Sequence, residues 1–204
     1  MELISIYKSA LKIIDATYKD SQYNPDIDLY RIKDILNSVS NSQIENKQWL
    51  VDEITKLAEP QYTLILGGWY GVLMALLEEK WKKTKMESVD FDDTCRTIGL
   101  GMFPHLHFIT DDALINYTHK RTQVDLLINT SCEHMEQEDI DYLLYAKPPE
   151  TMICFQSNDY EEITSHINSK NSLEEFIDSL NLKEIIYSGT LPSFRHNRFM
   201  VIGK

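Results

Sequence analysis

The sequence predicts an α/β protein built on a mostly parallel seven-stranded sheet that ends in an antiparallel hairpin and is preceded by helices. Three observations carry this prediction. The first 58 residues contain no glycine and place apolar residues at helical spacing. From residue 61 onward, short β-rich apolar runs alternate with helical or polar stretches, as repeated strand–helix units require. The last two apolar runs are joined by only about eight residues containing Gly189 and Pro192, too few for a helical crossover, so they pair antiparallel.

Taken in order, Leu29, Ile32, Ile35, Leu36 and Val39 form one apolar stripe, and Leu50, Ile54, Leu57 and Ala58 form another, giving two or three helices over residues 1–59. The segment SQYNPD, with Asn24-Pro25 and then Asp26 and Asp28 as cap candidates, separates the first helix from the second. Glu59-Pro60 closes the last one. This helical segment is expected to pack on a main domain spanning 60–204. The strands expected there are YTLIL (62–66), MESVDF (86–91), HLHFI (105–109), VDLLIN (124–129), TMICF (151–155), LKEIIYSG (182–189) and RFMVIGK (198–204). Right-handed crossovers through intervening helices make the first five parallel.

Composition narrows the function. A chain of 204 residues, 43% hydrophobic and 25% charged, has enough apolar material for one sizeable core. Its formal net charge of −12 repels a phosphate backbone, so nucleic acid is not expected as a partner. No apolar run is long enough to span a bilayer, and the N-terminus carries charges where a signal core would be apolar, so a cytoplasmic protein is expected. Cys95, Cys132 and Cys154 are odd in number and lack CxxC spacing, which predicts reduced thiols. A homo-oligomer is compatible with all of this.

In an open parallel sheet, ligands bind beyond the carboxyl ends of the strands. The residues there are GGWYG, DFDD, TDDA, NTSCEHM and QSNDY, each polar or glycine-rich after an apolar run. Gly67, Gly68 and Gly71 suit a sharp strand-to-helix turn whose amides a ligand can approach closely. Asp90, ~20 residues beyond these glycines at a strand end, occupies the position that hydrogen-bonds a ribose diol. Asp92 and Asp93 suit helix capping, and Asp111 and Asp112 suit either an adenine amino group or a cap.

These residues resemble the class I S-adenosylmethionine-dependent methyltransferases, with their Rossmann-like seven-stranded sheet in the order 3-2-1-4-5-7-6. The elements ILGGWYG, VDFD, DDA and INTSCEHM are similar to the family's glycine loop, acidic second-strand end, Asp-Ala pair and polar loop after the fourth strand. The resemblance implies S-adenosylmethionine as cofactor, held by Gly67, Gly68, Trp69, Gly71, Asp90, Asp111, Asp112 and Asn129. Two positions depart from the pattern. Trp69 stands where the middle glycine belongs, and Ile65 where an acidic residue often binds the methionine part. Either Trp69 lines the pocket, or a residue from the N-terminal helices replaces the missing carboxylate.

The implied strand order makes neighbours of the loops after the fourth and fifth strands. Asn129, Ser131, Glu133, His134, Gln156, Asn158 and Tyr160 then border the acceptor, with Arg195, His196 and Arg198 as a cationic rim. His134 or Glu133 is a candidate general base, the alternative being a helix start. His105 and His107 alternate on the expected third strand, but no third ligand stands at a readable spacing and no metal is expected. The reading is methyl transfer to an unidentified, small-molecule acceptor. Its alternative is a catalytically inactive, methyltransferase-like binding or regulatory protein; a nicotinamide-dependent oxidoreductase fits the hairpin and glycine loop less well.

Overall fold

The chain alternates strands and helices from Tyr62 onward. The computed structural model describes residues 3–21, 29–193 and 196–204. Asn24, Pro25, Asp26, Asp28 and Arg195 therefore lie outside the described residues. The strands are β1 (Tyr62–Leu66), β2 (Lys85–Asp90), β3 (Phe108–Thr110), β4 (Leu126–Asn129), β5 (Met152–Asn158), β6 (Ile185–Pro192) and β7 (Asn197–Gly203), in the order β3-β2-β1-β4-β5-β7-β6. Strands β1 to β5 pair in parallel, and β7 runs antiparallel between β5 and β6.

Three helices precede the sheet: α1 (Leu3–Ser21), α2 (Leu29–Ser38) and α3 (Asn41–Ile54). Helices α4 (Val72–Lys80), α5 (Asp93–Met102), α6 (Ala113–Lys120), α7 (Gln137–Ala146) and α8 (Leu173–Leu180) connect the strands. Side chains alternate across each strand, so the sheet has two apolar faces. Ile65, Ile128, Cys154, Met200 and Ile202 face a core filled from α1 to α5. Leu64, Leu66, Leu127, Phe155 and Val201 face a second core closed by α6, α7 and α8. The first three helices thus build the same core as the sheet. Helix α4 is buried from Val72 to Leu77 because α3 packs on it from outside. No described helix is long and apolar enough to cross a membrane.

Three strands differ from expectation by three residues, and the sixth runs Ile185–Pro192 where 182–189 was expected. The third begins at Phe108, because Leu106 N–H turns back to the Phe103 carbonyl at 3.1 Å and Pro104 has no amide to donate. His105 and His107 therefore precede the strand, and His105 Nε2 meets Glu78 at 2.8 Å. The fifth continues through Gln156, Ser157 and Asn158, because β7 pairs with them and supplies the ladder that polar side chains by themselves do not predict. The expected α2 stripe is only half buried: Ile35 and Val39 are inside, whereas Leu29 and Leu36 face solvent.

Candidate active site

The site begins where β1 lies between β2 and β4, at the point where strand order changes direction. Gly67, Trp69 and Gly71 have φ of 57°, 52° and 80°, so the chain turns through the left-handed region three times between β1 and α4. Only glycine enters that region without cost; a tryptophan there stores roughly 1 kcal/mol or more. Gly67 N–H donates to the Val89 carbonyl at 2.9 Å, which holds the turn against β2. A Cβ on Gly68 would lie 2.0 Å from Ser88 Oγ, and one on Gly71 would lie 2.5 Å from the Phe108 ring.

Asp90 closes the turn from β2. One carboxylate oxygen accepts from Trp69 N–H at 3.2 Å and the other from Asp92 N–H at 3.1 Å. Burial raises its pKa and outweighs these two amides. Asp92 caps α5 through Thr94 N–H at 2.9 Å, as its position suggests. Asp112 likewise caps α6 through Ile115 N–H at 2.9 Å, while Asp111 accepts from Asp112 N–H and from Asn116 Nδ2, each at 2.9 Å. Both carboxylates thus have local structural partners.

Sequence reasoning missed three residues that the N-terminal helices bring to this turn. Asp34 accepts from Trp69 Nε1 at 3.0 Å and from the Tyr70 hydroxyl. Arg31 donates to Tyr70 Oη at 3.1 Å and to Asp92 at 3.2 Å. Ile65 is fully buried in the core, and the carboxylate that lies beside the turn is that of Asp34 from α2. Lys47 of α3 is only 7% exposed; its Nζ donates to Gln43 at 2.6 Å and stands 5.8 Å from the centre of a Trp69 ring. Burial, with the charge of Arg198, lowers its pKa to about 7. One signal existed: Lys47 interrupts the apolar face formed by Ile44, Leu50, Val51 and Ile54.

The acceptor side is assembled from β4, β5 and β7. Asn129 accepts from Ser131 N–H at 2.9 Å, and Ser131 borders Gly67, where an added Cβ would lie 3.5 Å from its Oγ. Glu133 sits in a single 3-10 turn, Cys132–His134, and is buried. It accepts from Asn158 Nδ2 and Arg198 Nη1, both at 2.6 Å. Arg198 also donates to the Thr130 carbonyl at 2.6 Å, and its side chain is 12% exposed. The expected cationic rim is therefore corrected at Arg198, which turns inward because a buried carboxylate faces it. Tyr160 N–H donates to Asn158 at 2.9 Å, and its ring stacks on His196 at 5.3 Å. Gln156 is buried on β5, and its side-chain amide oxygen has no partner among the described residues. Cys132 is buried, which pushes its thiol well above the usual range and leaves it unsuited to nucleophilic attack.

No protein-family model matches the sequence, and no curated protein does either. Solved structures do. The N-methyltransferase NodS from Bradyrhizobium japonicum WM9, in complex with S-adenosyl-L-homocysteine, superposes with a TM-score of 0.61 at 14% identity, over 92% of this chain and 97% of that one. The chain has the class I methyltransferase fold. A geranyl diphosphate methyltransferase in complex with GPP and sinefungin gives 0.61 at 11% identity, over 79% of this chain and 78% of that one. MtNAS, in complex with MTA and tNA, gives 0.58 at 13% identity, over 99% of this chain and 71% of that one. In this methyltransferase fold the polar ends of β1 to β5 lie along one edge, because the five strands are parallel, and the start of the reversed β7 joins them.

Proposed function

We propose that the protein is an S-adenosylmethionine-dependent methyltransferase acting on a small-molecule acceptor. The observation that carries this reading is the left-handed glycine turn hydrogen-bonded to Asp90 at the switch point of a methyltransferase sheet. Gly67, Gly68, Trp69 and Gly71 would hold the donor's methionine part, and Asp90 the ribose diol. Asp111, Asp112 and Asn129 would border the rest of the pocket. Asp34 stands in for the carboxylate absent at Ile65. Ser131, Asn158 and Tyr160 would border the acceptor. The methyl group moves from the sulfonium sulfur to an acceptor heteroatom in an in-line displacement, S-adenosylhomocysteine leaves, and the acceptor loses a proton. Much of the rate then comes from holding the two reactants aligned. Glu133 is tied to Arg198 and Asn158, so its carboxylate orients that loop instead of shuttling protons. The buried free cysteines suit the cytoplasm.

The contacts of Trp69 and Tyr70 with α2 favour a second reading, a binding protein without catalysis, in which the helix occupies the donor's place. Calorimetric titration separates the two. The enzyme binds S-adenosylmethionine and S-adenosylhomocysteine, one per chain, and Asp90→Asn weakens both by about tenfold or more through loss of charge-assisted hydrogen bonds. Absence of heat and of any thermal shift at millimolar ligand would overturn it.

A further inference from the structure

Beside the acceptor loops, Glu133, His134 and His166 bring one carboxylate oxygen and two imidazole nitrogens within 4.8 Å of one another. Each histidine is oriented through its Nδ1. His134 Nδ1 is 3.0 Å from the Ser165 carbonyl, and His166 Nδ1 is 2.5 Å from the Tyr160 carbonyl. A carbonyl only accepts, so both Nδ1 atoms carry a proton, and in the neutral rings each Nε2 keeps a lone pair. The imidazole rings stand edge to face, 4.6 Å between centres. This is the tautomer and the backbone anchoring found in metal-binding histidines.

A second observation is independent of the histidines. Glu133 is 3% exposed and its Oε2 has no hydrogen-bond partner among the described residues, although Oε1 is taken by Asn158 and Arg198. A buried carboxylate oxygen without a partner bears the cost of its lost hydration unless something else binds it. The backbone also brings the three residues together: the Glu133 carbonyl accepts from Ile167 N–H at 2.9 Å and Asn168 N–H at 3.1 Å, which pins the loop carrying His166 to Glu133.

We propose that Glu133 Oε2, His134 Nε2 and His166 Nε2 bind a divalent first-row transition ion, such as zinc, at the acceptor edge of the sheet. Two imidazoles and one carboxylate favour such an ion over calcium or magnesium, which prefer oxygen donors. Tetrahedral zinc at about 2.0–2.1 Å from each ligand holds its donors roughly 3.3 Å apart, so the loop closes slightly on loading. Arg198 neutralises Glu133, and the loaded site keeps a positive charge that favours water, hydroxide or an acceptor oxygen as a further ligand. His134 is then a ligand and not the general base that its sequence position suggested. Only the acceptor's part in this rests on the transferase reading; metal binding does not.

The test uses the full chain after treatment with a chelator, titrated with Co2+ by absorbance and with Zn2+ by calorimetry, without S-adenosylmethionine. One ion per chain, with Co2+ ligand-field bands, is the expected result. His134→Ala and His166→Ala should each weaken binding by about tenfold or more. His166→Gln, closer in size and polarity, controls for local collapse, and an unchanged melting curve assigns the loss to the ligand. No bands and no heat at millimolar ion, or wild-type affinity in both His166 variants, would overturn the proposal. Failure to bind S-adenosylmethionine leaves these readouts unchanged, so the two readings fall separately.

Discussion

The Asp34 carboxylate accepts a 3.0 Å hydrogen bond from the Trp69 indole, joining helix α2 to the strained turn after β1. The same oxygen accepts from the Tyr70 hydroxyl, whose ring stacks on Trp69 at 5.3 Å. Asp34→Ala removes the acceptor from a fully buried tyrosine and is expected to destabilise the fold by about 1–3 kcal/mol. Urea unfolding checks this, and Asp34→Asn, which keeps one acceptor oxygen, should recover part of the loss.

Gly71 combines φ of 80° with the Phe108 ring 2.5 Å from where a Cβ would stand. Gly71→Ala is expected to cost at least about 2 kcal/mol, from backbone strain and overpacking together. Adding Phe108→Leu should restore the packing share and leave the strain. The difference between the single and double variants in thermal unfolding measures each.

Lys47 makes stability depend on pH. Its pKa is about 7 in the folded chain and 10.5 when exposed, so between these values the unfolded chain binds more protons. Stability therefore rises with pH across that window, and below about 7 the full penalty for a buried charge is present. Lys47→Met should raise stability by a few kcal/mol at about pH 6, an advantage that fades as pH approaches about 10. Equal gains at both ends would show that the amine titrates normally.

The buried Glu133–Arg198 pair predicts strong non-additivity. Arg198→Met leaves a carboxylate buried without its cation and should cost about 3–5 kcal/mol. Glu133→Gln in the same chain should recover a large part of that. A double-mutant cycle by urea unfolding reads the coupling directly, and additive losses would contradict a working ion pair.

The order of elements was legible because it follows from local chemistry: period-two and helical apolar patterns, the glycine turn, and a last connection too short for a helix. Asp90 and Asp92 were legible for the same reason, since one ends a strand and the other caps a helix within a few residues. Burial of polar strand residues was not. Gln156, Ser157 and Asn158 read as a loop, yet they are strand because β7 arrives beside them. His105 and His107 read as strand, but the turn at Phe103–Leu106 holds them before it.

The sequence by itself determined the individual strands, the antiparallel hairpin at the end and the glycine turn, since each depends on residues near in the chain. Tertiary structure alone decided what surrounds that turn. Arg31 and Asp34 reach it from α2, Lys47 is buried by α3, and Arg198 turns inward to Glu133. His166 meets His134 only because the loop after β5 is pinned to the Glu133 carbonyl. Such contacts join distant segments, and their energies come from burial and charge pairing, which no local pattern of residues encodes.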